Sequence, residues 1–117
     1  MNIEEYRTFC LSLPAATESF PFGDDTLVMK VKNKVFTLAS LTPFSFNVKC
    51  NPEYAQELRE QYSDVIPGYH MNKVHWNTIL ISGTIPNKQL EGWIKDSYDL
   101  IVSKLPKKDQ LDIQTSI

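Results

Sequence analysis

The sequence has no apolar run approaching the roughly 20 residues that a membrane-spanning helix needs, so no membrane association is predicted. The chain starts Met-Asn-Ile-Glu-Glu, which lacks the positive and apolar regions of a signal peptide. Cysteine is scarce as well. Cys10 and Cys50 lie far apart in the sequence, which favours reduced thiols in a cytoplasmic protein over a disulfide framework.

Common signatures of cofactor and metal sites are also missing. The sequence has no G-x-G-x-x-G and no P-loop, and its cysteines and histidines form no close ligand pairs such as C-x-x-C or H-x-x-x-H. Asp24-Asp25 is a lone acidic pair, which is too little for a metal or for acid–base chemistry. We therefore predict no cofactor, no metal site and no catalytic residue, and we expect a binding protein rather than an enzyme.

One cysteine leaves two interpretations open. Cys50 precedes a predicted helix N-terminus, where the helix dipole lowers a thiol pKa, and His70 or His75 could act as its base. Cys50 equally fits a packing position against Ala55, one turn into that helix. No third orienting group is evident in the sequence, so the packing interpretation is favoured.

The charges are unevenly distributed along the chain. A net charge of −2 and a pI of about 5.6 argue against a dedicated nucleic-acid-binding protein, for which a basic domain is expected. Residues 26–52 and 65–90 nevertheless contain no acid, and they carry Lys30, Lys32, Lys34, Lys49, Lys73 and Lys88. Twelve of the 14 acids fall in three other blocks, residues 4–25, 53–64 and 91–99, and the other two are Asp109 and Asp112 near the end of the sequence.

Apolar spacing and capping residues predict the element order α-β-β-β-α-β-α. The predicted helices are residues 3–13, a helix opened by Asn51-Pro52, and a last helix from 86 or 87 to 104. The predicted strands are residues 26–31, 35–41, 44–49 and 74–81. A short extra strand near 66–71 stays open, and residues 107–117 are predicted to be a frayed polar tail. Phe20-Pro21-Phe22-Gly23 is predicted to be a turn that plugs the core, although base stacking is the alternative.

Short hairpin-type connections favour one α+β domain over residues 1–117, with an antiparallel sheet and helices packed on one face. On that layout the two acid-free blocks supply the sheet and the acidic blocks supply the helices. We therefore expect a basic open sheet face and acidic helix backs.

The segment from Pro67 to Asn77 is rich in hydrogen-bond donors and stacking surfaces and has no acid, which suits an anionic or aromatic partner. If it is a strand, His75 and Asn77 face one way and Trp76 the other. Trp76 is then predicted to anchor the core, while His75 and Asn77 lie on the open face near Lys73. There they would either contact phosphates and base edges or fasten the preceding loop.

Motifs spread over about residues 20–106 resemble the MmcQ/YjbR family of small bacterial proteins. They are Phe20-Pro21-Phe22-Gly23, Met29-Lys30-Val31, Lys34-Val35-Phe36, Val48 to Glu53, Pro67 to Lys73, His75-Trp76-Asn77, Gly83 and Ser97-Tyr98. The resemblance implies a curved antiparallel sheet similar to CyaY (frataxin-like) and secretion-chaperone-like architectures. It also implies DNA binding.

Charge segregation and the resemblance together predict non-enzymatic binding of double-stranded DNA through the basic sheet face. The predicted phosphate contacts are Lys30, Lys49, Lys73 and His75, with Asn77 and Tyr69 as secondary contacts. Lys32 and Lys34 flank a hairpin tip that either reaches a groove or is a solvated turn, and the second interpretation is favoured.

Two alternatives to DNA binding stay open. The open sheet could dock a protein partner, as frataxin-like and chaperone-like folds do. A small-molecule site could instead form where the Tyr69-His70 loop meets Ser97 and Tyr98. For Ser97, a local bond to the carbonyl four residues earlier is favoured over such a pocket.

Overall fold

The computed structural model describes residues 1–68 and 71–115 and shows an α+β domain built on a six-stranded antiparallel sheet. The elements in chain order are α1 (Ile3–Ser12), β1 (Ala16–Ser19), β2 (Thr26–Val31), β3 (Lys34–Leu41), β4 (Phe44–Lys49), α2 (Pro52–Gln61), β5 (Val65–Pro67), β6 (Trp76–Leu80), α3 (Asn87–Ser103) and α4 (Lys107–Thr115). The strands lie side by side in the order β1-β2-β3-β4-β6-β5. The predicted fold class and element order are confirmed.

Local sequence signals account for several element boundaries. The Asn2 side-chain oxygen accepts from the backbone N–H of Glu5 at 2.8 Å, and the Glu5 carboxylate accepts from the backbone N–H of Asn2 at 3.0 Å. These two bonds form a reciprocal capping box that starts α1. Asn51 caps α2 with a single bond, its side chain accepting from the Glu53 backbone N–H at 3.0 Å, and Pro52 is the first helical residue. At the β2–β3 hairpin, φ is 49° at Lys32 and 66° at Asn33, which makes the tight turn predicted there.

The helices cover one face of the sheet. The core on that side combines side chains from all four helices, such as Tyr6, Leu58, Trp93 and Ile113, with inward-facing strand residues, such as Phe46. Because strand side chains alternate, the neighbouring strand positions lie on the opposite face, which we call the open face.

A bulge in β3 changes this alternation near the hairpin. Met29 pairs with Thr37 and Lys30 pairs with Val35, so Phe36 is the extra residue. Phe36 and Thr37 are both fully buried, and Phe36 stacks edge-on against Tyr98 at 5.2 Å between ring centroids. The bulge thus turns two successive side chains toward the core.

A serine of α3 fastens that helix to the sheet beside the bulge. The Ser97 hydroxyl donates to the Phe36 carbonyl at 2.6 Å and accepts from the Lys49 amide at 2.8 Å. The prediction of a local bond within the helix was wrong, because Ser97 is fully buried at the end of the β3–β4 pairing, where two backbone groups need a partner.

Three short elements add to the predicted set. β1 extends the sheet beyond β2. β5 is the short extra strand whose presence near residues 66–71 the sequence left undecided. The third is α4, so the prediction of a frayed tail was wrong. Ile113 of α4 is buried in the core, and Asp112 pairs with Lys32 at 3.6 Å.

Replacing Ser97 by alanine should lower the free energy of unfolding by about 2–4 kcal/mol, because two backbone groups lose their partner inside the protein. Ser103 on the same helix is the matched control. Its exposed hydroxyl bonds only locally, to the Leu100 carbonyl, so Ser103→Ala should change the free energy by less than about 0.5 kcal/mol. Urea unfolding followed by circular dichroism measures both, and equal effects would contradict the role of Ser97.

Candidate functional site

Six basic side chains lie at one end of the sheet. β2 and β4 end there, and β3 and β6 begin there, because neighbouring strands are antiparallel. Lys30 pairs with Val35, and Lys49 pairs with Trp76 at the start of β6. We call this region the basic end; its members are Lys30, Lys32, Lys34, Lys49, Lys73 and His75.

The members of the basic end differ in how they are engaged. Lys32 forms an ion pair with Asp112 of α4, whereas Lys34 and Lys73 are exposed. Within residues 1–68 and 71–115, the ion pairs leave Lys30, Lys34, Lys49 and Lys73 without a carboxylate partner. Positive charge is therefore available to an anionic ligand here, mainly away from the hairpin tip at Lys32.

Arg59 of α2 holds the turn that precedes β6. Its guanidinium donates from Nε to the Asn77 Oδ1 at 2.6 Å and from Nη2 to the Trp76 carbonyl at 3.2 Å and to the Lys73 carbonyl. Sequence reasoning missed Arg59, because nothing in its helix signals a bond to a segment about 15 residues away. Its five-donor fork suits such multiple carbonyl contacts, and it fixes the backbone that carries Lys73 and His75.

Asn77 faces the helices. It is fully buried, accepts from Arg59 and donates from Nδ2 to the Ala55 carbonyl at 3.3 Å. Asn77 is therefore not at the surface, and its predicted contact with DNA was wrong. The fastening alternative placed Asn77 against the preceding loop, whereas its amide joins α2 to β6 and the bond to that loop, at the Lys73 carbonyl, comes from Arg59.

Trp76 lies on the open face, opposite to the prediction. It is 8 % exposed and sits outside the core cluster that the helices cover. The chain at Gly68 passes so close that a Cβ there would lie 2.9 Å from the Trp76 Cβ, so only glycine fits. The prediction failed because the half-buried Arg59 gives the Asn77 side chain a hydrogen-bond partner, so that Asn77 rather than Trp76 takes the inward position.

The remaining candidates fall outside the basic end. Ser97 and Tyr98 are buried residues of α3, and the Tyr98 hydroxyl donates to the Pro14 carbonyl at 2.5 Å. Neither side chain is therefore exposed to a ligand in the way that the predicted polar pocket required. Tyr69 and His70 lie outside the described residues. Phe20 and Phe22 are 46 % and 74 % exposed, so the prediction that their turn plugs the core was wrong.

Cys50 lies beside a shallow cavity between the end of β4 and α3. It is only 6 % exposed. Burial, followed by the nearby Asp96 carboxylate, raises the pKa of its thiol to about 11. A thiol in that environment is protonated at neutral pH and is a poor nucleophile. The packing interpretation of Cys50 therefore describes it better than the catalytic one.

The geometry offers no metal centre and no membrane span in the part of the chain that the structure covers. No three His, Cys, Asp or Glu side chains among the described residues come together as ligands. No helix formed by those residues is long and apolar enough to cross a membrane.

Comparison with known proteins gives the family. A model described as YjbR matches residues 11–100. The chain belongs to the YjbR family. It is 32 % identical over 110 residues to a protein named YjbR from Escherichia coli, covering 92 % of this chain and 93 % of that protein, which is described as uncharacterized. The Escherichia coli protein YbdF, also described as uncharacterized, is 36 % identical to this chain over 110 residues. The match covers 92 % of this chain and 89 % of YbdF.

Solved structures share this YjbR-family fold. A crystal structure of a Deinococcus radiodurans protein superimposes with a TM-score of 0.91 at 35 % identity, over 97 % of this chain and 88 % of that one. A Pseudomonas syringae protein superimposes with a TM-score of 0.75 at 24 % identity, over 86 % of this chain and 98 % of that one, which shows the fold alone.

Both cysteines should resist alkylation in the folded protein. Burial raises the pKa of the fully buried Cys10 to about 12 as well, so neither thiol ionises at neutral pH. Iodoacetamide should label Cys50 at least about 100-fold more slowly in the native state than in urea, and faster as the pH rises toward the raised pKa. Mass spectrometry of proteolytic peptides separates the two cysteines. Rapid native labelling of Cys50 at neutral pH would revive its catalytic interpretation.

Proposed function

We propose that this YjbR-family chain is a non-enzymatic protein that binds double-stranded DNA through the basic end. The observation that carries the proposal is that basic side chains distant in sequence gather where four strands begin or end. Phosphate contacts by lysines supply most of the affinity of non-specific DNA binding. Lys30, Lys49 and Lys73 are the proposed phosphate contacts, with His75 beside them.

The spacing of the strands supports contacts with more than one phosphate. Adjacent strands lie about 4.8 Å apart, so β2 and β4, with β3 between them, are separated by about 10 Å. Lys30 and Lys49 thus start from backbone positions at that distance. Lys34 is exposed at the start of β3, between these two strands, and adds a further positive charge to the same end of the sheet.

Among the residues that the structure describes, the positive charge of the open face is confined to the basic end. The centre of the open face carries Leu38, Ser45 and Asn47, and the described residues that line the cleft there are uncharged, so the expected basic character of the open face does not extend to its centre. Since the whole chain has a net charge of −2, attraction to DNA must come from the basic end, at distances within the screening length. We therefore expect modest affinity with a clear dependence on salt.

Neutralising the proposed contacts should flatten this salt dependence. Each lysine that contacts a phosphate contributes about −0.9 to the slope of log K against log salt concentration, so the triple variant Lys30→Gln, Lys49→Gln, Lys73→Gln should lose about 2.7 from the magnitude of the slope. Fluorescence anisotropy with a labelled duplex, between about 50 and 200 mM salt, measures the slope.

The matched control removes the same number of charges from the helix side. Lys88, Lys95 and Lys104 are exposed on or just after α3, and their replacement by glutamine should leave the slope unchanged. An equal loss in both triple variants, or no binding by the native protein at about 50 mM salt, would contradict the proposal. A salt-insensitive complex with a protein would instead favour the protein-docking alternative.

A further inference from the structure

The open face contains a cleft that is separate from the basic end. Its floor follows one row across four strands, where Val28 pairs with Leu38, Leu38 with Asn47, and Asn47 with Thr78. The cleft has a volume of about 870 Å³. Small-molecule sites in proteins are typically concave and measure about 300–1,000 Å³.

Apolar side chains form much of the wall of this open-face cleft. Val28 and Leu38 lie on the floor, Met71 and Pro43 contribute to the sides, and Phe22 stands at the rim. Phe22 is 74 % exposed. An aromatic ring held this far into solvent beside an apolar concavity is typical of a surface that a ligand covers.

A few polar groups converge within the same cleft. The Asn47 Oδ1 accepts from the Thr78 hydroxyl at 2.5 Å, and the Asn47 Nδ2 donates to the Leu38 carbonyl at 3.3 Å. These bonds fix the amide and use one of the two Nδ2 hydrogens. Ser40 and Ser45 face each other across β3 and β4, and neither hydroxyl bonds to another described residue. The cleft can therefore offer both donors and acceptors to a bound group.

The charge of the lining decides the class of ligand. Among the described residues, the lining of the cleft includes no Asp, Glu, Lys, Arg or His. A charged ligand buried there would lose its hydration without gaining a countercharge, which is costly. An uncharged ligand meets no such penalty, and its apolar surface gains from burial against the partly exposed Leu38 and the exposed Leu80, which also lines the cleft.

We infer that the open-face cleft binds an uncharged small molecule with an apolar body and a hydrogen-bonding group. The apolar body lies on the floor under the Phe22 ring. The polar group meets the Asn47 amide or the hydroxyls of Ser40 and Ser45. This site differs from the one predicted near Ser97 and Tyr98, and it does not depend on DNA binding.

Two related dyes test both the site and its preference for neutral ligands. N-phenyl-1-naphthylamine is uncharged and fluoresces when it leaves water, and 1-anilinonaphthalene-8-sulfonate adds a sulfonate to the same rings. Native protein should give saturable fluorescence with the neutral dye and should bind the sulfonate at least about tenfold more weakly. Chemical shifts of Ser45 and the Asn47 side-chain amide should move during titration with the neutral dye.

Three variants locate the dye. Phe22→Ala removes an exposed ring without touching the core and should weaken binding about fivefold. Ser45→Trp fills the cleft and should weaken it at least about tenfold. Leu111→Ala is the matched control, because Leu111 is 59 % exposed on α4, away from the open face, and its loss should leave dye binding unchanged. Circular dichroism checks that each variant folds.

Several results would overturn the inference. They are an absence of saturable binding by the neutral dye, equal affinity for the sulfonate, and dye binding that survives both Phe22→Ala and Ser45→Trp. Self-association that Phe22→Ala abolishes, with no saturable dye binding, would assign the face to a second copy of the chain. The triple lysine variant should bind the neutral dye like the native protein, so this test and the DNA test can fail independently.

Discussion

The register of the sheet is the constraint on which both surfaces of this protein depend. Along each strand, alternate side chains enter the core under the helices, and the intervening ones lie on the open face. A slip of one residue between strands would exchange these sets, burying residues such as Ser45 and exposing Phe46. Phe46 and Val48 are fully buried, so such a slip would forfeit a large part of the apolar burial that holds the domain together.

Two polar anchors secure that register where apolar packing alone is insufficient. Ser97 links the Phe36 carbonyl of β3 to the Lys49 amide of β4, beside the bulge. Arg59 ties α2 to Asn77 and to the turn before β6. Both satisfy backbone or amide groups that would otherwise be buried without partners, and such groups are expensive to leave unpaired. The same anchors position the backbone of the basic end.

The open face has two chemically different regions, one at the ends of the strands and one at their middle. Lysines concentrate where the hairpin tip and the ends of β2 and β4 come together, whereas the middle of the face is uncharged and concave. The two ligands proposed above, a polyanion and a neutral apolar molecule, would therefore occupy different parts of one surface. Since the Escherichia coli relatives are described as uncharacterized, each region has to be tested on this chain itself.

Sequence patterns predicted the elements whose signals are local. The capping residues Asn2 and Asn51 placed the starts of two helices, and Asn33 placed the hairpin. β1 was missed because its four residues form a strand through pairing with β2 rather than through any alternation of their own. α4 was missed because Ile113 is its one buried residue, and such a helix depends on a core built by distant segments.

The candidate sites show the same division between local and distant information. The sequence by itself determined the family resemblance, the segregation of lysines from acids and the α+β class, because these depend on residue types and short spacings. Only the tertiary structure decided that Asn77 is buried and Trp76 is not in the core, because that choice depends on Arg59, a partner supplied by another element. It also decided that the open face has an uncharged cleft, since Phe22, Leu38 and Asn47 come together only when the strands pair.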